Sequence, residues 1–163
     1  MTNSHVTEQE KNQPMIPSEV LELLSKGGAA WNAKDYRTAK NNAAEALTLS
    51  QQLGNIHGEL GSLHLLANIA FNECDDKKSR DLHERILARS FEIGYLDGAA
   101  SSLANLALID IVENDLETAR NKYHQALELY EKSGSHEWAE RIRSILSKDQ
   151  LETVLEGINR ICK

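Results

Sequence analysis

The stretch SLANLALIDIVENDLETARNKYHQAL, residues 102–127, decides the fold of this chain. It contains an apolar segment, a short break at residues 114–116 and a second amphipathic segment, which is the pattern of two helices joined by a tight turn. Residues of the same type recur at intervals of 40 positions. The glycines are Gly54, Gly94 and Gly134, and the aspartates are Asp35, Asp75 and Asp115. Leucines recur in two sets, Leu47, Leu87 and Leu127 in one and Leu66 and Leu106 in the other. A fixed period in this range predicts a solenoid in which each unit stacks on its neighbours.

The turn signals divide the chain into an N-terminal arm, a repeat domain and a last helix. Residues 1–17 are polar and aperiodic, so we expect them to form a disordered or loosely attached arm. The repeat domain is predicted over residues 18–148, with units at 18–54, 57–94, 97–134 and 136–148. Its helices are predicted at 18–32, 36–53, 57–72, 77–93, 97–113, 116–132 and 136–146. We expect the periodic glycines to adopt the left-handed conformation that ends a helix.

Residues 149–163 are predicted to form a capping helix. Asp149 and Glu152 have the D-x-x-E spacing of a capping box at a helix start. Apolar residues follow at helical spacing, and they are Leu151, Val154, Leu155, Ile158 and Ile161. This single stripe would cover the apolar face of the last repeat, and a dimerisation helix is the alternative interpretation.

Composition favours a helical protein that binds neither membranes nor nucleic acids. The chain has 163 residues, 40% of them hydrophobic, and a net charge of −7 with scattered Lys and Arg, which argues against a nucleic-acid partner. Apolar runs fall short of the roughly 20 residues of a membrane span, and the polar start lacks the core of a signal peptide. We therefore expect a cytoplasmic protein with no membrane partner. Cys74 and Cys162 form no C-x-x-C motif, and we expect both to be free thiols.

The sequence shows no catalytic motif, so we expect that the protein is not an enzyme. HERIL at His83 and HEWAE at His136 each lack the second histidine of a zinc-binding H-E-x-x-H pair. His57 and His64 lie two turns apart, but no carboxylate or cysteine at ligand spacing completes a metal set. A G-x-S-x-G elbow and a phosphate-binding glycine loop are also missing from the sequence. We expect neither a metal nor a cofactor.

The repeated unit resembles the tetratricopeptide repeat family. The matching residues of the third unit are Leu106, Ala107, Asp115, Ala119, Tyr123, Ala126 and Leu127, and those of the first are Gly27, Ala30, Asp35, Tyr36, Ala39, Ala46 and Leu47. The period of 40, instead of the family's usual 34, resembles the extended variant found in scaffold and motor-adaptor proteins. The resemblance covers about residues 18–148 and implies an all-α fold. It implies a right-handed α-solenoid of antiparallel helix pairs, with about three and a half repeats before the capping helix.

The small residues of the second helices are predicted to be structural. Ala39, Ala43 and Ala46 lie at i, i+4 and i+7 on one helix face, which lets paired helices approach closely. We expect Ala119 to play the same part in the third unit, where a large side chain would disturb packing.

In tetratricopeptide proteins the first helix of each pair forms a concave inner surface, so the resemblance places a groove on these helices. The inward positions are Leu24, Gly28 and Trp31, then His64, Leu65, Asn68 and Phe71, then Ser101, Asn105, Leu108 and Val112, and finally Arg141, Ser144 and Lys148. Asparagine side chains both donate and accept hydrogen bonds, so Asn68 and Asn105 suit the main chain of an extended peptide. The peptide-binding residues predicted are His64, Leu65, Asn68, Asn105, Leu108 and Arg141.

Chaperone-binding members of the family hold C-terminal carboxylates with three basic residues and two asparagines. Four of those five positions are filled here by His64, Asn68, Asn105 and Arg141, but the fifth is Ile145. Histidine is mostly neutral near pH 7 and is a poor substitute for lysine. We therefore expect a simpler groove led by Asn105 and Arg141.

Several alternatives remain open from the sequence. Trp31, Leu65, Phe71 and Leu108 either cradle the apolar face of a partner helix or pack between repeats. The protein is either an adaptor that binds a linear segment of a partner protein, or a structural subunit that self-associates or docks by its ends or convex face. A homodimer is compatible with the second interpretation, in which the groove is idle or filled by the protein's own N-terminal arm.

Overall fold

The computed structural model describes residues 16–147 and 150–158, and all regular secondary structure in these ranges is helical. The helices are α1 Ser18–Asn32, α2 Tyr36–Gln52, α3 Ile56–Asn72, α4 Asp76–Glu92, α5 Leu96–Val112, α6 Leu116–Ser133, α7 His136–Ser147 and α8 Leu151–Gly157. Each of the first seven begins and ends within one residue of the predicted bounds. The expectations for residues 1–15, for the cap at Asp149 and for Ile161 lie outside the described residues.

A residue in the left-handed conformation closes each turn between α1 and α7. Gly54, Gly94 and Gly134 have φ angles of 62°, 72° and 79°, as predicted from their position after a helix. Non-glycine residues take the same conformation in the other three turns, and they are Lys34, Cys74 and Asn114, with φ of 61°, 64° and 64°. The turn therefore repeats every 20 residues along the chain, and only alternate turns carry the glycine that is visible in the sequence.

The periodic aspartates are helix N-caps. Asp35, Asp75 and Asp115 each accept a hydrogen bond from the backbone N–H three residues later, at 3.1 Å. Asn55 does the same before α3, at 2.7 Å. Each cap satisfies a backbone donor that the helix itself leaves unpaired, and is worth about 1 kcal/mol.

Consecutive helices pack against one another from α1 to α7, and α1 also contacts α3, which in turn contacts α5. Ala39, Ala43 and Ala46 are fully buried, as predicted. Gly27 of α1 is packed so tightly that an added Cβ would lie 2.7 Å from Cδ2 of Leu65 on α3. The odd-numbered helices α1, α3 and α5 consequently lie side by side, which is the arrangement that a groove along the first helices requires.

A buried carboxylate on α5 connects this helix to α4 and α6. Asp110 is 3% exposed and accepts a hydrogen bond from Arg80 Nη2 of α4 at 2.9 Å. It also forms a salt bridge with Lys122 of α6, and Arg80 reaches Glu113 at 2.8 Å. Because a buried charge is tolerated only when paired, this network ties α4, α5 and α6 together.

A disulfide and the last helix are two further features of the fold. Cys74 is disulfide-bonded, so the expectation of a free thiol is wrong for this residue, and the expectation for Cys162 lies outside the described residues. Sequence spacing gave no sign of the bond because a disulfide depends on proximity in space. Leu151 of α8 is 1% exposed, and α8 contacts both α5 and α7. None of the described helices is long and apolar enough to cross a membrane.

Candidate functional site

Three adjoining cavities lie along α3, α5 and α7. Their volumes are 360, 280 and 270 Å³. Ser101 of α5 lines all three, and His64 of α3 lines the two larger ones. Because the same side chains line neighbouring cavities, the three lie next to one another, and we call this row of cavities the groove.

The largest cavity contains most of the residues predicted to bind a peptide. Its walls are His64, Ser101, Ala104, Asn105, Leu108, Tyr123, Tyr130, Trp138, Arg141, Ile142, Ile145 and Val154. Four of the six predicted residues are present: His64, Asn105, Leu108 and Arg141. Ile145, the position where the family's clamp has a cation, is there as well. Val154 belongs to α8, so the last helix forms one wall of the groove.

Leu65 and Asn68 are not among the residues that line the largest cavity. Leu65 lies one residue after His64 and therefore points about 100° away around the helix. There its Cδ2 packs against Gly27, at the contact between α1 and α3. Asn68 is half-buried one turn further along α3, and its backbone carbonyl accepts a hydrogen bond from Asn72 Nδ2 at 3.1 Å. Of the two predicted asparagines, only Asn105 lies in the wall of this cavity.

Trp138 is a large, half-exposed aromatic residue in the wall of the groove, and it was not among the predicted binding residues. Its side chain is 50% exposed and stacks on Tyr130, with ring centroids 6.2 Å apart. The guanidinium carbon of Arg141 lies 4.8 Å from the centroid of the Trp138 ring. Such a cation–π contact is worth about 0.5–1 kcal/mol at an exposed site and holds the arginine in place.

The position of Trp138 departs from the repeat. The residues 40 and 80 positions upstream are Gly98 and Gly58, whose backbones pack against neighbouring side chains. A Cβ at Gly98 would lie 2.4 Å from the Tyr95 ring, and one at Gly58 would lie 2.5 Å from Ser50 Oγ. The fourth unit therefore places a large exposed aromatic where the two preceding units have a buried glycine.

The histidine that lines the largest cavity, His64, is neutral. His64 is half-buried, and burial lowers its pKa below the ordinary value of 6.5. Its ring meets that of His83 edge to face, with centroids 5.3 Å apart. Among the described residues that line the largest cavity, Arg141 is consequently the only one that is charged at pH 7. The cavity is thus an apolar pocket with a single cation at its rim.

Two polar side chains of the groove, those of Asn105 and Asp97, have hydrogen-bond partners within the protein. Asn105 Nδ2 donates to the backbone oxygen of Ser101 at 2.9 Å, so a bound peptide would compete for this donor. Asp97, at the start of α5, lines the two smaller cavities and accepts hydrogen bonds from Ser133 at 2.5 Å and Ser135 at 2.7 Å. The groove therefore has an anion on α5 and a cation on α7.

The groove thus combines apolar walls with two separated charges, those of Asp97 and Arg141. In the described part of the chain, no three His, Cys, Asp or Glu side chains are grouped so that they could hold a metal ion. No family model matches the chain, and searches of curated proteins and of solved structures also find no match. The tetratricopeptide resemblance accordingly stays a prediction.

Proposed function

We propose that the protein is a non-catalytic interaction module that binds an extended segment of another protein in the groove. The observation that carries this proposal is the row of adjoining cavities along α3, α5 and α7, the largest of which is lined by apolar side chains and by the Trp138–Arg141 pair. Aromatic and arginine side chains provide most of the binding energy in many protein interfaces. We also propose the finer fold, a right-handed α-solenoid of about three and a half tetratricopeptide-like repeats.

The dimensions of the groove suit a short linear segment. Packed helices lie about 8–10 Å apart, so crossing from α3 to α7 covers roughly 20 Å. An extended chain advances about 3.3 Å per residue, and roughly six residues therefore span the groove. One of them would place an apolar side chain in the pocket beside Leu108 and Ile145, and a neighbouring carboxylate would pair with Arg141.

Affinity capture from the source cell's lysate tests the proposal. The parent chain is compared with an Asn105→Ala, Arg141→Ala variant, and Arg37→Ala on α2 is the matched control because it removes an exposed arginine outside the groove. Thermal melting first establishes that all three are folded. A protein captured by the parent and the control, but lost with the double variant, supports the groove as the working surface. Capture of the same protein by all three rejects it.

The alternative, a structural subunit, rests on exposed apolar side chains outside the groove cavities. Leu21, Leu53 and Phe91 are 50%, 54% and 53% exposed. Scattered exposed apolar residues are common on monomers, so we place this function second. Sedimentation of the parent chain over a hundredfold dilution separates the two, since a dimer that resists dilution favours the structural subunit.

A further inference from the structure

Ile16 lies in the groove although it precedes the first helix. It lines the 280 Å³ cavity together with His57 and Leu60 of α3 and with Asp97 and Ser101 of α5. The residue is half-buried there. Its side chain thus already occupies the kind of site that an apolar residue of a bound peptide would take.

The direction of the chain at this point leads across the groove. Only Pro17 stands between Ile16 and the start of α1 at Ser18, and its φ of −53° and ψ of 144° make it extended. Since α1 is the neighbour of α3, and α3 of α5, a chain that leaves α1 and reaches the α3–α5 cavity is crossing the helices in order. The next helix along this path is α7, which carries Trp138 and Arg141.

The preceding residues have the length and the chemistry to continue along this path. Residues 1–15, MTNSHVTEQEKNQPM, reach about 50 Å when extended, whereas α5 and α7 are separated by about 10 Å. Pro14 favours an extended conformation of the residue before it. Val6 and Met15 supply apolar side chains, and Glu8 and Glu10 supply the carboxylates that Arg141 would attract.

We propose that residues 1–15 continue along the groove and occupy its largest cavity, so that the N-terminal arm is the groove's internal ligand. The arm then competes with any external peptide, because both need the Leu108 pocket and Arg141. This competition rests on the proposed function, but the seating of the arm does not. If the arm leaves the groove only a tenth of the time, the apparent affinity for a partner falls tenfold.

Photo-crosslinking in the full chain tests the seating without a partner. The photoreactive residue p-benzoylphenylalanine replaces Val6, and the products of irradiation are mapped by mass spectrometry. We expect crosslinks within one chain to α5 and α7, at residues such as Leu108, Trp138 and Ile145. An Arg141→Glu substitution should lower their yield at least threefold through repulsion of the arm's glutamates, whereas Arg37→Glu should leave it unchanged.

Two outcomes would overturn the inference. In one, the crosslinks from position 6 are distributed over α2, α4 and α6 and are not concentrated on α5 and α7. The same photoprobe at His124, an exposed position on α6, provides the comparison. In the other, the products are crosslinked dimers that disappear on dilution, which would assign the groove to the arm of a second copy. The capture experiment is independent. If capture depends on the groove residues but the crosslinks are scattered, the proposed function stands and the seating of the arm in the groove is rejected. If the crosslinks lie in the groove but capture does not depend on its residues, the arm is seated there and the proposed function is rejected.

Discussion

Lowering the pH from 7 to 5 should destabilise the fold through His83 alone by about 2 kcal/mol. His83 on α4 is 1% exposed, and among the described residues its Nδ1 has no hydrogen-bond partner. Burial, with a smaller contribution from the neighbouring His64, lowers its pKa from 6.5 to about 3. The unfolded chain therefore takes up this proton first as the pH falls.

The sign and size follow from the two pKa values. The stabilisation is fully present above pH 6.5 and is lost progressively as the pH falls toward 3. At pH 5, 1.5 pH units below the unfolded value, the loss is about 2 kcal/mol, since each unit is worth about 1.4 kcal/mol. His64 shifts in the same direction and adds to the loss. The carboxyl groups of Asp35 and Asp115, whose pKa values are lowered from 3.8, titrate below this window.

Urea unfolding at pH 7 and pH 5 measures the effect. The parent should lose about 2 kcal/mol more than a His83→Phe variant, which keeps an aromatic ring but takes up no proton. The control His124→Phe changes an exposed histidine on α6 and should behave as the parent does. If His83→Phe loses as much stability as the parent, the assignment of the pH dependence to this buried histidine is refuted.

Four further substitutions are tested by urea unfolding at pH 7. Lys34→Gly should stabilise the protein by about 0.5 kcal/mol, because Lys34 has a positive φ, which glycine adopts without strain. Gly54→Ala should destabilise it by about 1 kcal/mol, because Gly54 also has a positive φ, although the space around it is open. Stability changes of the same sign in the two variants would contradict this reasoning. Asp110→Ala should cost about 1–3 kcal/mol, because Arg80 and Lys122 lose charge-assisted hydrogen bonds to the buried carboxylate while Arg80 keeps Glu113, and a loss under about 0.5 kcal/mol would show that the network is dispensable. Ala119→Leu should cost about 1–3 kcal/mol, because Ala119 is fully buried, and unchanged stability would mean that the helices can separate to accept it.

The helices were predictable because local rules determine their ends. The aspartate caps and the glycine turns recur in register, and the structure places helix boundaries at both signals. The left-handed conformation was not predicted at Lys34 and Cys74, because lysine and cysteine carry no preference for it, whereas asparagine does favour it and Asn114 offered a signal that was missed. Neighbouring helices impose it there through the short connection.

The family pattern predicted Asn105 and Arg141 as groove residues, and both line the largest cavity, while their part in peptide binding stays a prediction. Trp138 was missed although it lies one turn before Arg141 on α7, so the helical period alone was a sufficient signal. Leu65 was assigned to the groove because the pattern did not resolve a rotation of about 100° between neighbouring positions. Ile16 carried no sequence signal, because its place in the groove depends on the path of the chain before α1.

Hydrogen–deuterium exchange of the parent chain, with and without the segment of the partner identified by capture, tests whether the groove is the binding surface. We expect slower exchange in peptides from α5 and α7 that contain Asn105, Leu108 and Arg141, with no change in α2 and α4. Protection confined to the even-numbered helices, with α5 and α7 unchanged, would contradict the groove as the working surface.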